Sequence, residues 1–410
     1  MILNKILLVG NHTCGNRGDG AILRGLISEI RRQQPQACLT ILSRFPESSA
    51  FLLNQPVEPD QLHRYRQRKA TGFVSKVCKF LTNRLLSNLL YIKAKYPRFS
   101  AVLPLPKVFK AEINRIKDFD LVIQVGGSFF VDVYGAAQFD YALITLQSNI
   151  PYYILGHSVG PFQTKVTRKL AQFVFNQCQA FVLREEFSLT RLQQDHIEVS
   201  KVAISTDTAW LVDSASFKNE QNKQRVIAVT LRELTPFDRI LGISQSEYEK
   251  AFVDLIDKLN EQGYLIRAFS TCTGIDGYPK DDRMVALRVQ AQCQSPEKIE
   301  VIMDELNDEE LGQAFSKCIL TVGTRLHSAI ISMNFGTPAF ALNYEHKSAG
   351  IMHNLGLDEL AQPISALVDG SLVAKVIKAL SEIEVLQPKV YRAVLEEKEK
   401  ARDTIKQLFS

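Results

Sequence analysis

Ile6-Leu7-Leu8-Val9 is an unbroken apolar run that stops at Gly10, and it limits what the chain can fold into more than any other feature. A strand that is apolar on both faces has to be covered on both faces, which is the situation of an inner strand of a parallel sheet. The residues that follow supply the cover. Ala21, Ile22, Leu23, Leu26, Ile27 and Ile30 recur at helical spacing, and Leu39-Thr40-Ile41-Leu42 reads as a second strand, so the chain opens with a βαβ unit.

The same rhythm continues. Leu121–Val125, Tyr152–Leu155 and Ala180–Leu183 read as strands, with a helix at Val166–Cys178 between the last two. A polar stretch at Ser214–Lys223 suits a hinge. Beyond it the strands Val226–Thr230, Leu265–Phe269, Ile299–Met303, Ile319–Val322 and Ala339–Leu342 follow, with helical patterns at Tyr248–Leu259 and Glu309–Ser316. At 410 residues and 46% hydrophobic content, the chain can bury two cores. The expected fold class is α/β: two tandem Rossmann-like, doubly wound domains facing a cleft. The expected boundaries are residues 1–215 with a basic insertion at about 61–110, residues 224–385, and a C-terminal helix at 386–410 that packs back on the first domain.

Composition removes several function classes. The seven cysteines are scattered, odd in number and without a Cys-x-x-Cys pair, so they read as reduced thiols of a cytoplasmic protein. No His/Cys/Asp cluster has metal-ligand spacing and no Ser/His/acid spacing suggests a hydrolase triad, so neither a metal nor a cofactor is expected. Met1–Gly10 is too brief for a signal peptide, and no stretch approaches the roughly 18 apolar residues of a membrane helix. The net charge of +5 is unevenly spread: residues 61–110 hold twelve Lys and Arg and no acid. Those cations alternate with Phe73, Phe80, Leu85 and Leu89, as in a basic amphipathic helix on an anionic membrane surface. An ordinary solvated face has the same composition. Nucleic acid is disfavoured, because no zinc-finger or RNP-like pattern accompanies the charge.

Ligands of open α/β sheets bind beyond the carboxyl ends of the strands. The unusual residues stand there. After the first strand comes Gly10-Asn11-His12-Thr13-Cys14-Gly15-Asn16-Arg17-Gly18-Asp19-Gly20, whose backbone N–H groups could cradle an anion or form only a tight turn. It lacks the Gly-Lys-Ser/Thr ending of a nucleotide-binding loop and the glycine spacing of a dinucleotide fingerprint. Gly126-Gly127-Ser128 offers a close backbone approach. His157 in Gly156-His157-Ser158 is suited to touching substrate or to a hydrogen bond inside its own loop. Arg184 ends a strand and suits an anion or a salt bridge. Thr321 to Ser328 runs from a strand into an apolar helix and places Arg325 and His327 at its N-terminus, where anions are favoured. A purely structural Arg/His pair is the alternative. The two converge only if Arg325 precedes the helix proper, because residues two apart on a helix point to nearly opposite sides. Asn343 to Lys347 is either an ordinary polar loop or a substrate contact, with Tyr344 to stack on a sugar and Lys347 to hold phosphate.

Asn16-x-Gly18-Asp19, Gly126-Gly127-Ser128, Gly156-His157-Ser158-Val159-Gly160-Pro161, Leu183-Arg184, Asp207-Thr208-Ala209, Arg325-Leu326-His327 and Tyr344-Glu345-His346-Lys347 together resemble the polysaccharide pyruvyl transferase family, in order and spacing over almost the whole chain. The resemblance implies a glycosyltransferase-B-like fold with the acceptor on the N-terminal side and the donor on the C-terminal side. It implies phosphoenolpyruvate as co-substrate and a pyruvate ketal formed on a sugar hydroxyl pair, typically of galactose. The acceptor it implies is a lipid-linked oligosaccharide of exopolysaccharide assembly, at the inner membrane face. It assigns donor binding to Arg184 and Arg325 and proton delivery to His327. Asp19 is the candidate base; Asn16, Gly18, Gly126, Gly127, Ser128, His157, Leu326, Tyr344 and Lys347 are substrate-contact candidates. A nucleotide-sugar glycosyltransferase of the same fold, with Glu345 on the ribose, and a non-catalytic scaffold of the assembly complex are the competing expectations. The oligomeric state is not legible.

Overall fold

β1 (Lys5–Asn11) is an interior strand, with Ile6 to Val9 fully enclosed, because it pairs on one side with β2 (Cys38–Ser43) and on the other with β4 (Leu121–Gln124). Each such buried aliphatic side chain stabilises the fold by roughly 1.5–3 kcal/mol. The computed structural model describes residues 3–99, 103–214, 225–343 and 346–410. With β3 (Glu58–Pro59), β5 (Tyr152–His157), β6 (Ala180–Leu183) and β7 (Ala203–Ile204), the first sheet is wholly parallel, in the order β3-β2-β1-β4-β5-β6-β7. The second sheet is built from β8 (Val226–Thr230), β9 (Leu265–Phe269), β10 (Ile299–Val301), β11 (Leu320–Gly323), β12 (Ala339–Asn343) and β13 (Ala361–Pro363). It too is parallel, in the order β10-β9-β8-β11-β12-β13.

Each sheet reverses its winding once, between β1 and β4 and between β8 and β11. Those are the positions where an open sheet leaves a crevice at its carboxyl edge. The two-residue edge strands β3 and β7, and the three-residue β13, have no counterpart in the sequence reading; such short pieces leave no periodicity to detect.

The chain separates into two compact units that are not simple segments. One comprises residues up to Thr13, Leu26–Asp207 and Asp403–Ser410; the other comprises Cys14–Gly25 and Thr208–Arg402. The boundaries expected at 215 and 224 therefore do not account for Cys14–Gly25. The final helix, Ile383–Phe409, ends in the first unit: Thr404 and Ser205 share a hydroxyl hydrogen bond of 2.7 Å, and Tyr153 donates to the Leu408 carbonyl at 3.4 Å. The hinge expected at 214–223 lies, from residue 215 onward, outside the described residues.

The basic segment forms helices at Gln61–Gln67, Phe73–Lys95 and Lys107–Ile116. Two of its cations are not on a surface. Arg66 is buried, donating to both carboxylate oxygens of Asp140 at 2.6 and 2.9 Å and to the Ser87 hydroxyl. Lys93 is buried and donates to the Leu103 carbonyl at 2.9 Å. Both correct the picture of one continuous charged face, since a cation inside the fold is retained only where polar partners replace its water.

Candidate active site

The second unit brings two helix starts together. Helix Arg17–Gln33 is capped by Asn16, whose side-chain oxygen accepts the Gly18 N–H at 3.1 Å. The N–H of Arg17 is bound by the Thr271 carbonyl at 2.8 Å and that of Gly20 by the Asn16 carbonyl at 3.0 Å. These three N–H groups are engaged by protein atoms, so at Arg17, Gly18 and Gly20 the backbone serves as a fixed support. Arg17 fixes it further: buried, it donates to the Cys14 and Gly15 carbonyls, to Thr273, to the Leu306 carbonyl and to Glu305.

Helix Leu326–Asn334 begins after β11, and Arg325 is its N-cap in an extended conformation, φ −97° and ψ 126°. That meets the geometric condition for Arg325 and His327 to act on one side. Ser328 holds the turn, its hydroxyl donating to the Arg325 carbonyl at 2.6 Å. Arg325, Leu326 and His327 are all partly accessible. The imidazole of His327 rests on Gly18, where an added Cβ would lie 2.6 Å from ring atoms Cγ and Nδ1. A glycine is needed at 18 for that contact.

Asp282, which the sequence does not single out because its Asp281-Asp282 pair looks like an ordinary acidic helix start, anchors the arginine. Arg325 Nε and Nη2 donate to its two carboxylate oxygens, each at 2.8 Å, while the Cys272 N–H donates to it at 3.0 Å. Glu305 is a second residue that sequence reasoning misses, placed against Arg17 and Arg283. Tyr278 is a third: burial, then the charges of Cys272 and Asp19, push its hydroxyl well above the usual phenol range, while burial pushes the neighbouring Cys272 thiol up to about 12. Both keep their protons at neutral pH, and Tyr278 lies near the charges of Asp19 and Arg325. Asp19 itself stands in the first turn of its helix.

In the first unit, Arg184 is buried with each guanidinium nitrogen engaged: Nε to Ser158, Nη1 to Asp207 and Nη2 to Ser128, all at 2.7 Å. This explains three motifs at once, since Ser128, Ser158 and Asp207 are the polar members of their signatures. Gly126 permits close backbone approach; a Cβ there would meet the Gly156 carbonyl oxygen at 2.7 Å. Gly127 pairs with His157 in an isolated parallel bridge. His157 is fully enclosed against Phe130, with ring centroids 5.0 Å apart, and burial and the Arg184 charge lower its pKa to about 3. It is a neutral core imidazole, which corrects the expectation that it touches substrate. Tyr344 and Glu345 lie outside the described residues, as does the side chain of Lys347.

The sequence matches the description "Polysaccharide pyruvyl transferase" over residues 16–346. The chain belongs to the polysaccharide pyruvyl transferase family. It is 46% identical over 404 residues, 96% of each chain, to the amylovoran biosynthesis protein AmsJ of Erwinia amylovora. Among solved structures it resembles a glycosyltransferase of Rickettsia africae, with a TM-score of 0.60, 12% identity and 100% and 98% of the two chains covered. It also resembles a UDP-GlcNAc 2-epimerase of Neisseria meningitidis, with a TM-score of 0.54, 12% identity and 97% and 99% coverage. At such identity these likenesses speak to the fold alone, which is glycosyltransferase-B-like. Membership in the family makes the chain a transferase. Among the described residues no helix is long and apolar enough to cross a membrane, and no cluster of three or more His, Cys, Asp or Glu is grouped as a metal site needs.

Proposed function

We propose that the protein moves the pyruvyl group of phosphoenolpyruvate onto two hydroxyls of one sugar, forming a pyruvate ketal and releasing phosphate. The observation that carries this is the placement of Arg325 just ahead of helix Leu326–Asn334, with His327 in its first turn and packed on Gly18. A donor with a carboxylate and a phosphate needs a cation with forked donors; a guanidinium has several N–H groups, and the two that Arg325 gives to Asp282 set the direction of its fork.

His327 delivers a proton to the methylene carbon of the donor, and positive charge develops at the adjacent carbon bearing the phosphate oxygen. A sugar hydroxyl attacks that carbon and loses its proton to Asp19. The carbon–oxygen bond to phosphate then breaks, and the second hydroxyl closes the ring and gives up its proton. One of the two released protons restores His327 and the other leaves with phosphate. The acceptor is a sugar of an exopolysaccharide repeat carried on lipid, and the enzyme works at an anionic membrane face, supported by the exposed cations and apolar residues of helix Phe73–Lys95.

Thermal unfolding tests the donor. Phosphoenolpyruvate should raise the midpoint while UDP-sugars leave it unchanged; the reverse would favour a nucleotide-sugar enzyme. A mass spectrum of the acceptor should show a gain of about 70 mass units, pyruvic acid less water, and a gain the size of a hexose would overturn the pyruvyl assignment.

A further inference from the structure

At the carboxyl edge of the first sheet, beside the reversal between β1 and β4, aromatic and polar side chains gather that the donor chemistry does not use. His12 follows β1, Arg44 and Phe45 follow β2, and Phe129 follows β4. The His12 ring lies 5.9 Å from Phe45 and 5.7 Å, edge-on, from Phe129; Phe129 in turn meets Tyr134 edge-on at 5.6 Å. Phe129 depends on Gly127, where a Cβ would stand 2.7 Å from its ring, so one of the paired glycines serves this wall. Arg44 donates to the Gln138 side-chain oxygen at 2.7 Å. Tyr134 is 42% exposed, and Val133 beside it is 81% exposed.

We infer that this edge is the seat of the acceptor sugar: a pyranose ring lies against Tyr134, which the buried Phe129 backs edge-on, and its hydroxyls are met by His12, Arg44 and Gln138. The inference rests on the pyruvyl transfer proposed above. Carbohydrate sites combine an aromatic face, which takes the C–H side of a pyranose, with planar polar groups that fix its hydroxyls. Both are present here on three strand ends of one rigid sheet. Burial and the Arg44 charge lower the pKa of His12 to about 3 and of His63 to about 4, so both imidazoles are neutral at pH 7, each with one donor and one acceptor nitrogen. Neutral rings around a single arginine suit an uncharged hydroxylated ligand better than a phosphate cluster would.

The test uses the full chain, with the exopolysaccharide of the producing organism, depyruvylated in mild acid and cut to oligosaccharides, as the acceptor probe. Tyr134→Ala and Arg44→Gln should each raise KM for the oligosaccharide about tenfold while KM for phosphoenolpyruvate stays within about twofold, and Tyr134→Phe should restore the acceptor KM. An acceptor KM within about twofold of the parent in both variants overturns the inference. Stabilisation by phosphoenolpyruvate is read in parallel, so failure of the donor assignment shows separately. In that event saturation-transfer NMR decides: signal to the oligosaccharide that disappears in Tyr134→Ala supports the site, and signal that is equal in both proteins, or absent from the parent, overturns it.

Discussion

Asp282 holds Arg325 by both ends of its guanidinium fork, at 2.8 Å from Nε and from Nη2, and Asp282 is itself buried. The arginine ahead of helix Leu326–Asn334 is therefore oriented before any donor arrives. Asp282→Ala should leave an uncompensated cation and lower stability by about 3 kcal/mol, the low end for a broken buried pair because Arg325 keeps some contact with water. Urea denaturation measures it. The double variant with Arg325→Ala should recover part of the loss, and phosphoenolpyruvate should no longer stabilise either protein. Additive losses in the double variant would mean that the pair does not act as a unit.

The contact of His327 with Gly18 makes a second, separable expectation. Gly18→Ala forces the imidazole away by several tenths of an ångström at least, since 2.6 Å is shorter than any ordinary contact to a Cβ. Turnover should fall about 10²-fold, as misplacement on the ångström scale typically costs, with stabilisation by phosphoenolpyruvate retained. His327→Gln should remove about 10²- to 10⁴-fold of turnover, the usual worth of general acid catalysis. Phosphate release under saturating donor reads both. Near-normal rates in His327→Gln would exclude this histidine as the acid.

Much of this is legible in the sequence because it depends on local pattern. β6 and β8 fall where continuous apolar runs place them, since a strand buried on both faces leaves no choice of residue. The Arg325-Leu326-His327 segment is legible because a strand end running into a helix is a short-range event. What escapes is long-range pairing. Asp282 lies 43 positions from Arg325, and Glu305 lies 288 from Arg17, so no spacing rule connects them. His157 is ambiguous for the same reason: whether a strand-end imidazole is enclosed depends on Phe130, which reaches it from beyond another strand. Arg66 and Lys93 look like their charged neighbours because composition does not report which side of a helix is covered.

The first unit should lose stability in mild acid through the enclosed His157 and the half-buried His12 and His63. His12, His63 and His157 have pKa values lowered to about 3, 4 and 3, against about 6.5 in the unfolded chain. Their contribution is complete above pH 6.5 and is lost as pH falls toward 4 and then 3, because the unfolded chain takes up protons that the folded chain refuses. For the fully enclosed His157 the slope is about 1.4 kcal/mol per pH unit over that window. His157→Gln, which does not titrate, should flatten the pH dependence of stability by that amount between pH 6 and 4.5. Urea midpoints followed by circular dichroism provide the measurement, and an unchanged slope would mean that His157 is charged in the fold.

The surface of helix Phe73–Lys95 yields the last expectation. From Leu86 onward the helix buries Leu86, Leu90 and Tyr91, but over its first half Phe73, 82% exposed, and Phe80, 61% exposed, stand in water with Val77 on the same side. Lys69, Lys76 and Arg84 are exposed around them, in a stretch that contains no acid. An apolar stripe ringed by cations loses least free energy where the rings enter the headgroup boundary and the ammonium groups meet anionic lipid. Each cation near such a surface contributes about 1 kcal/mol, so Lys69, Lys76 and Arg84 changed together to Gln should weaken binding to phosphatidylserine-containing vesicles about 100-fold. Arg66 is left intact because its removal would break the pair with Asp140. Co-sedimentation should fall with added salt, and Phe73→Ser with Phe80→Ser should weaken binding even where the charges remain. Binding that is equal on neutral phosphatidylcholine vesicles, or indifferent to both sets of substitutions, would leave the stripe without a lipid partner.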